Sequence, residues 1–266
     1  MNIAGTVRQL LDLIFPPACE ACGAVGEAGL CSRCMEGVLP LQEPYCAQCG
    51  RPFDPNVARA PQLCASCRSA APHFDGARAY GLHLGPLREV VISLKFRGRT
   101  CVVPFLSRLL AQRWAAEGES SWPLPLSDVD ALIPVPLHPE RLRWRGFDQA
   151  TLLTRRLAPA VGKPVWEDCL RRHRPTLPQI GLNPQQRREN VKNAFTVPDA
   201  GAVRGTSLLL VDDVYTTGAT ANDAARALKA AGAGAVYLLT VTRAAPEWHP
   251  AAQLTLAPES PYWLHP

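Results

Sequence analysis

The sequence predicts an α/β fold, with a parallel sheet flanked by helices and preceded by a small cysteine-rich module. Two observations lead to this prediction. Eight of the ten cysteines lie in the first 67 residues of a 266-residue chain. The remainder alternates between short apolar segments and helical patterns, which is typical of β-α-β units. With 47% hydrophobic and 19% charged residues, the composition is that of a globular protein rather than a disordered one.

The N-terminal cysteines form four C-x-x-C pairs, namely Cys19/Cys22, Cys31/Cys34, Cys46/Cys49 and Cys64/Cys67. Two sulfurs three positions apart point at one metal across a tight turn, and two such pairs complete a tetrahedral Zn²⁺ site. Disulfides are the weaker interpretation, because no export signal is recognisable and cytoplasmic thiols stay reduced. Both quartets are complete, which predicts two structural zinc ions. Pairing within consecutive quartets is preferred, and a cross-braced arrangement has the same composition.

Charge divides the chain at the same place. Residues 1–73 carry five Lys/Arg and six Asp/Glu, whereas residues 74–266 carry 23 and 17. We therefore expect an N-terminal helix and a double zinc ribbon over 1–73, and over 74–266 a basic domain that binds any anionic ligand. Cys101 and Cys169 lie outside the quartets and are expected to be buried apolar side chains.

No apolar run reaches the ~20 residues that a membrane-spanning helix needs, so we expect no membrane insertion. The N-terminal segment has only a short apolar stretch, interrupted by Asp12, and lacks an A-x-A cleavage site. We therefore expect a cytoplasmic protein.

Strand and helix patterns alternate from residue 77 onwards. ARAYGLHL predicts a strand, and the turn at Gly85-Pro86 begins a helix over PLREVVISLKF. VVPFLSRLLAQRWAA predicts a second helix, and the wholly apolar VDALIPVP predicts a buried parallel strand. GFDQATLLTRRLA then predicts a helix with Leu152, Leu153 and Leu157 on one face, and VWEDCL predicts a further strand.

The last part of the chain begins with HRPTLPQIGLNPQQRRENV, a polar segment interrupted by prolines, which predicts a mobile loop. TSLLLVDDV predicts a buried strand, and ATANDAARALKAAG predicts an alanine-rich helix that Gly232 stops. AVYLLTVTR predicts the final strand. These elements complete the expected parallel sheet.

The segment LLLVDDVYTTGAT carries the most chemical information. Asp212 and Asp213 follow the apolar strand, and ligands bind at the carboxyl ends of parallel strands. Hydroxyls and unpaired N–H groups at a helix N-terminus form a phosphate site, here from Thr216, Thr217, Gly218, Ala219 and Thr220. The carboxylates suit the hydroxyls of a sugar and Mg²⁺. A sugar with a 5-phosphate, a free 2,3-diol and a magnesium-bound pyrophosphate matches all these groups; routine capping by Asp and Thr is the alternative.

This segment resembles the signature of type I phosphoribosyltransferases, which bind 5-phosphoribosyl-1-pyrophosphate (PRPP). The cysteine pairs, LKFRGR (94–99), VDALIPVP, RLRWRGFDQA (141–150), QRRENVKNAF (186–195) and LLLVDDVYTTGAT occur in this order. Together they resemble the ComF family, double-zinc-ribbon phosphoribosyltransferase homologues associated with natural competence. The resemblance extends as far as Arg243 and implies a sheet of the type I phosphoribosyltransferase type. Asp148 departs from it, because the family more often has Asn there.

The resemblance also implies roles for individual residues. The pyrophosphate loop corresponds to Arg141, Arg145, Gly146 and Gln149, and arginine suits bidentate contact with phosphate oxygens. Catalysis is assigned to Asp212 and Asp213 and to a closing loop with Arg187, Arg188, Asn190 and Lys192. The implied ligand is Mg-PRPP, with transfer to an unidentified acceptor substrate and release of pyrophosphate. Residues 74–100 are expected to form part of the hood that selects this substrate.

A second hypothesis is a single-stranded-DNA accessory protein of competence, working with other competence proteins, in which the PRPP site is regulatory or vestigial. Twelve lysines and arginines lie between Arg141 and Lys192, with Trp144 and Phe147 among them. Basic grooves with interleaved aromatic side chains bind single strands. We prefer to interpret both aromatic residues as core residues that position the pyrophosphate loop. A PRPP-sensing regulator is a third hypothesis.

Overall fold

The fold is that of a computed structural model, which describes residues 16–26, 28–54, 56, 62–120, 124–174, 186, 192–246 and 249. The expected N-terminal helix lies outside these residues, as does most of the expected mobile loop. In the described part of the chain, every helix is too short or too polar to cross a bilayer.

Helices and strands alternate after the cysteine pairs, as expected. The helices are α1 (Ser32–Met35), α2 (Ala65–Ser69), α3 (Gly85–Arg97), α4 (Val103–Ala116), α5 (Pro139–Arg145), α6 (Gln149–Val161), α7 (Ala200–Val203) and α8 (Ala219–Ala230). The strands are β1 (Gly76–Leu82), β2 (Ala131–Pro134), β3 (Arg171–Arg172), β4 (Phe195–Thr196), β5 (Ser207–Tyr215) and β6 (Ala235–Arg243).

The central sheet has the strand order β1-β6-β5-β2, with every neighbouring pair parallel. Strands β3 and β4 form a separate antiparallel pair. The predicted parallel sheet with flanking helices is therefore confirmed. The predicted strand VWEDCL is wrong: Val165 makes only an isolated bridge to Leu132, because the chain bends at 167–169.

The sheet is buried on both faces. Leu209 and Val211 of β5 point into a core formed with α3, α4 and α6. The alternate residues Leu208 and Leu210 point into a second core that includes α8. Successive residues of a strand face opposite sides, so a strand buried on both faces is apolar throughout. This arrangement explains the uninterrupted LLLV run.

The cysteine-rich module covers the outer edge of β1. Its Gln48 carbonyl oxygen accepts a hydrogen bond from the Ala77 N–H at 2.7 Å, and its Leu39 carbonyl oxygen accepts one from Leu82 at 2.9 Å. Side chains on the first cysteine pairs join the α3–α4 core, and the later cysteines join the α8 core. The module is therefore packed into the rest of the described chain, and the boundary at residue 73 stays a prediction.

The opposite edge strand, β2, is also partly covered. The Leu132 N–H donates to the Pro164 carbonyl oxygen at 2.9 Å, and the Leu132 carbonyl oxygen accepts from the Trp166 N–H at 2.9 Å. Pro134, the last residue of β2, has no N–H group to donate. Both outer strands of the sheet thus have their edges occupied over part of their length.

Candidate functional site

The eight N-terminal cysteines form two tetrathiolate clusters, in each of which the sulfur atoms lie within 4.8 Å of one another. The Cys22 and Cys31 sulfurs are 3.8 Å apart, and those of Cys49 and Cys64 are 3.7 Å apart. A tetrahedron with Zn–S bonds of about 2.3 Å has edges of about 3.8 Å, so the cysteines fit zinc. The consecutive pairing is confirmed. We call the clusters the first zinc site (Cys19, Cys22, Cys31, Cys34) and the second zinc site (Cys46, Cys49, Cys64, Cys67).

The two zinc sites differ in their surroundings. All four cysteines of the second site are buried, whereas Cys22 in the first is exposed. The backbone N–H groups of Cys49 and Cys64 donate to the Cys46 sulfur at 3.5 and 3.3 Å. Hydrogen bonding, first from the Cys49 thiol and then from these backbone groups, lowers the pKa of Cys46 to about 4. Cys101 is exposed, so the prediction that it is buried is wrong.

The carboxyl ends of the four central strands bring together the candidate ligand-binding residues. Asp212 and Asp213 lie inside β5, near its end, and not after it. Adjacent strand residues face opposite sides, so Asp213 points towards α3 and Asp212 towards the other face. The Asp212 carboxylate remains close enough to accept the Asp213 N–H at 2.8 Å.

The Asp213 carboxylate is buried and charged. The Lys95 ammonium lies 2.9 Å from its Oδ1 atom. Burial is the largest single effect and would raise the pKa of Asp213, but Lys95, together with Asp212 and Arg145, lowers it. The other oxygen, Oδ2, is buried and has no hydrogen-bond partner among the described residues. A buried carboxylate oxygen in this state is suited to a ligand hydroxyl or a cation.

Asp212 has the opposite electrostatic character. Burial, followed by the negative charge of Asp213, raises its pKa well above the ordinary value. Burial lowers the pKa of the nearby Arg172 to about 10, and the negative charge of Asp212 opposes that shift. The two aspartates therefore offer one fixed negative charge and one carboxyl group that takes up a proton more readily.

The predicted phosphate loop connects β5 to α8. Thr216 and Thr217 are exposed, and Thr217 Oγ1 accepts the Ala219 N–H at 3.4 Å. Gly218 has a φ of 77°, in the left-handed region that favours glycine. A Cβ atom there would also collide with the Tyr215 hydroxyl. The 12-residue α8 begins at Ala219, and Thr220 lies in its first turn, so all five predicted residues stand at a helix N-terminus.

The predicted pyrophosphate residues lie at the junction of α5 and α6. Gly146 ends α5 with a φ of 80°, and Arg145 Nη1 donates to Gln149 Oε1 at 2.5 Å. Burial lowers the pKa of Arg145, and the nearby Asp213 opposes that shift. The Nε atom of Arg145 is buried with no partner in the described chain. Arg141, one turn earlier on α5, also has its pKa lowered by burial.

Asp148, the departure from the family pattern, has a structural role. It is the N-cap of α6: its Oδ1 atom accepts the Thr151 N–H at 3.1 Å, and Oδ2 accepts the Leu137 N–H at 2.8 Å. Burial raises its pKa, and these hydrogen bonds oppose the rise. The carboxylate therefore fastens the segment after β2 to α6, with both oxygens engaged.

The predicted closing loop is anchored at its base. Strands β3 and β4 bring its two flanks together, and the buried Asp223 of α8 accepts the N–H groups of Asn193 and Ala194 at 3.0 and 2.7 Å. Lys192 is exposed beside this anchor. Arg187, Arg188 and Asn190 lie outside the described residues.

Sequence reasoning missed His83 and Arg172 as site residues and identified Lys95 only as part of the basic LKFRGR segment. His83 directly follows β1, so its position at the carboxyl edge was a usable signal. Its Nδ1 atom lies 2.9 Å from Thr242 Oγ1, and Thr242 donates to the Asp213 carbonyl oxygen at 3.3 Å. Burial, with Lys95 and Arg88, lowers the pKa of His83 to about 3, so the ring is neutral near pH 7.

The aromatic residues near the pyrophosphate loop behave differently from each other. Trp144 is 61% exposed, so the interpretation of it as a core residue is wrong; it lies on the outer side of the short helix α5. Phe147 is partly buried and packs against the core, as expected. Phe96 and Leu142 are also exposed, and the Arg145 guanidinium lies 5.6 Å from the Phe96 ring centroid.

Known proteins resemble this chain in sequence and in fold. A family model described as a double zinc ribbon domain matches residues 10–68. DNA utilization protein YhgH of Salmonella typhi is 33% identical over 87% of this chain and 99% of that protein. A solved glutamine PRPP amidotransferase from B. subtilis has a TM-score of 0.36 and 20% identity over 56% of this chain and 30% of that one. Competence protein F of Haemophilus influenzae is 30% identical over 83% of this chain and 93% of that protein. With that identity over nearly the whole relative, the chain belongs to the competence protein F (ComF) family.

Proposed function

We propose that this chain binds the magnesium complex of PRPP at the carboxyl edge of its sheet and transfers the phosphoribosyl group to an acceptor substrate. The observation that carries the proposal is a buried, ionised carboxylate, one oxygen of which has no hydrogen-bond partner among the described residues, on the strand that leads into the Gly218 turn. The Asp213 side chain is 2% exposed, and its Oδ2 atom has no partner among the described residues. Buried polar atoms are nearly always hydrogen-bonded, and a sugar hydroxyl would satisfy this one.

The two ends of the sugar phosphate have different partners in this proposal. The 5-phosphate binds the loop, whose donors are Thr216, Thr217, Gly218, Ala219 and Thr220. The dipole of α8 adds positive potential there. The 2,3-diol donates to Asp212 and Asp213. Mg²⁺, when bound with PRPP, would be held through its pyrophosphate and these carboxylates and would stabilise the leaving charge.

The pyrophosphate binds the α5–α6 junction through Arg141, Arg145, Gly146 and Gln149. During transfer, the bond from the ribose C1 atom to pyrophosphate breaks, the acceptor substrate bonds to C1, and its nucleophilic atom gives up a proton. The closing loop, with Arg187, Arg188, Asn190 and Lys192, covers the activated sugar and excludes water. Arg145 supports this assignment because its buried Nε atom has no partner in the described chain.

Binding is tested by isothermal titration of the zinc-loaded full chain with Mg-PRPP, ribose 5-phosphate and Mg-pyrophosphate. We expect Asp213→Asn to lower the affinities for PRPP and ribose 5-phosphate at least tenfold, because charged hydrogen bonds contribute about 1.5–3 kcal/mol. We expect Arg145→Met to lower the affinity for pyrophosphate and to leave the affinity for ribose 5-phosphate unchanged. Asp130→Asn is the matched control, because Asp130 accepts the Ser207 N–H at the amino edge. If titration with Mg-PRPP gives no binding heat, the proposal is overturned.

Transfer is tested separately, by ³¹P NMR of Mg-PRPP with a panel of nitrogen heterocycles and ammonia. We expect pyrophosphate to be released with one member of the panel and not after Asp213→Asn. Binding without release from any of them would instead support a regulatory PRPP site.

Single-stranded DNA binding is the second candidate function, favoured by the exposed Trp144, Phe96 and Leu142 on a basic surface. Aromatic side chains among arginines form stacking platforms for unpaired bases. The names of the relatives, competence protein F and DNA utilization protein, agree with it. The test is fluorescence anisotropy of a labelled thymidine oligomer at two salt concentrations. Trp144→Ala and Arg143→Ala should weaken binding, while Arg204→Ala, an exposed arginine before β5, should not.

A further inference from the structure

Arg243, the last residue of β6, contacts the second zinc site. Its Nη1 atom donates to the Cys49 carbonyl oxygen at 2.5 Å, and its Nη2 atom lies 3.8 Å from the Cys49 sulfur. The arginine is only 7% exposed. A tetrathiolate zinc site carries two net negative charges, so a buried guanidinium against one thiolate offsets that charge and fixes the ligand. Arg243 is therefore an outer-shell partner of the second zinc site.

The same guanidinium is connected to the predicted phosphate loop indirectly, by way of the Tyr215 ring. Its central carbon lies 4.2 Å from the centroid of the Tyr215 ring. The Tyr215 hydroxyl, in turn, fills the space beside Gly218 that a Cβ atom would need. Phe74 packs edge-on against the ring at 6.3 Å. Tyr215 is buried, so it has little room to move independently of Arg243.

We propose that Arg243 is a positioning residue that couples the second zinc site to the phosphate loop, through Tyr215 and Gly218. In this proposal, zinc fixes the position of Cys49, and Cys49 binds the Arg243 guanidinium. The guanidinium in turn stacks on the Tyr215 ring, whose hydroxyl packs against Gly218. Coupling between two sites is reciprocal, so zinc in the second site strengthens sugar phosphate binding and the sugar phosphate strengthens zinc binding. The loop half of this inference rests on the proposed function; the zinc half does not.

The zinc half is tested with metal alone. Chelator competition measures zinc affinity in Arg243→Met, Arg243→Lys and the matched control Arg78→Met. Arg78 is also buried and donates to the ribbon carbonyl of Ala47 at 3.0 Å. We expect Arg243→Met to lower the affinity of one of the two zinc sites for its ion about 10- to 100-fold, the range seen for outer-shell partners. With Co²⁺ in place of zinc, the sulfur-to-metal charge-transfer band should shift in Arg243→Met and not in Arg78→Met.

The loop half is tested by titrating zinc-loaded protein with ribose 5-phosphate. We expect at least a fivefold loss of affinity in Arg243→Met, the lower limit typical of coupled sites. Arg243→Lys should recover part of the zinc affinity but less of the sugar phosphate affinity, because lysine lacks the planar group that stacks on Tyr215. Cys67→Ser in the second zinc site should also weaken ribose 5-phosphate, whereas Cys22→Ser in the first should not.

The outcomes are distinguishable. An unshifted Co²⁺ band and unchanged zinc affinity in Arg243→Met would overturn the zinc half. Weakened zinc with ribose 5-phosphate affinity unchanged, measured at saturating zinc, would overturn the coupling and leave the proposed function standing. If the parent protein binds zinc but no ribose 5-phosphate, the proposed function fails and the metal experiments still decide the role of Arg243. Because loss of a buried cysteine ligand can unfold a ribbon, the Arg243 variants carry the decision.

Discussion

At the residue scale, two adjacent aspartates of one strand have opposite electrostatic environments. Lys95, 2.9 Å from the Asp213 carboxylate, keeps the pKa of Asp213 low, whereas burial and the charge of Asp213 raise the pKa of Asp212. The strand alternation that separates them is a geometric consequence of the pleat. Asp213 is therefore the fixed negative charge of the site, and its substitution should matter more than that of Asp212.

The turn before α8 gives a prediction about one glycine. Gly218→Ala places a methyl group against the Tyr215 hydroxyl and forces alanine to a φ of 77°. Left-handed backbone costs a non-glycine residue about 1–2 kcal/mol, so the loop should shift to relieve both strains. We expect ribose 5-phosphate affinity to fall at least tenfold in calorimetry. Gly162→Ala, a helix end with open space around it, is the control and should retain full affinity.

The neutral His83 predicts a pH dependence of stability. Its pKa is about 3 in the folded protein, so below its ordinary value of 6.5 the unfolded chain binds a proton that the folded chain does not. Stability from this group is complete above about pH 6.5 and falls as the pH decreases towards 3, by about 1 to 2 kcal/mol between pH 7 and 5. Urea unfolding should show this loss in the parent and a smaller one in His83→Gln. Equal losses would contradict the assignment.

At the element scale, two aspartates on helices α6 and α8 hold neighbouring segments of the site in place. The N-cap Asp148 of α6 fastens the segment after β2, and Asp223 of α8 fastens the base of the predicted closing loop. Each connection joins an element that carries predicted ligand contacts to a neighbouring element. An N-cap such as Asp148 contributes about 0.5–2 kcal/mol.

The Asp223 anchor predicts a change in proteolysis. Asp223→Asn removes the charge that pairs with Arg226 at 2.8 Å and weakens the hydrogen bonds from Asn193 and Ala194. We expect about 1–3 kcal/mol lower stability and faster tryptic cleavage after Arg187 or Arg188 under native conditions. Asp199→Asn, which affects only the exposed cap of α7, should leave the cleavage rate unchanged. Cleavage at the parental rate in Asp223→Asn would mean that the anchor does not hold this segment.

The sequence predicts well whatever is contiguous. The C-x-x-C spacing identifies both zinc sites, and the apolar run before Asp212 identifies the central strand. Lys95, His83 and Arg172 reach the site from other elements, so only the tertiary fold brings them to the aspartates. The exposure of Trp144 could not be predicted, because a seven-residue helix has too few turns to show which face is covered.

At the scale of the whole molecule, the zinc ribbons are part of the sheet's support. They pair with the edge of β1 and place the buried cysteines of the second site in the same core as α8. The residues that hold metal and those proposed to hold the sugar phosphate thus belong to one packed unit.

Zinc removal should therefore affect more than the ribbons. Chelation of the buried second site leaves the edge of β1 without its Gln48 partner, and unpaired strand edges promote association between chains. We expect a lower midpoint of thermal unfolding and increased light scattering, reversed by added zinc. Cys22→Ser, at the exposed first-site ligand, should lower the midpoint less. A midpoint unaffected by chelation would show that the ribbons do not support the sheet.

The occupied flanks of the sheet also limit how the protein assembles with others. The carbonyl oxygens of Leu39 and Gln48 accept hydrogen bonds from N–H groups of β1. On β2, Leu132 is hydrogen-bonded to Pro164 and Trp166, and Pro134 has no N–H group to donate. Recruitment by β-augmentation, in which a visiting peptide extends the sheet, has no continuous ladder of free donors and acceptors on the described strands. A partner of the described sheet is therefore expected to contact side chains, and the exposed Trp144 of α5 lies on the same short helix as the predicted pyrophosphate residues Arg141 and Arg145.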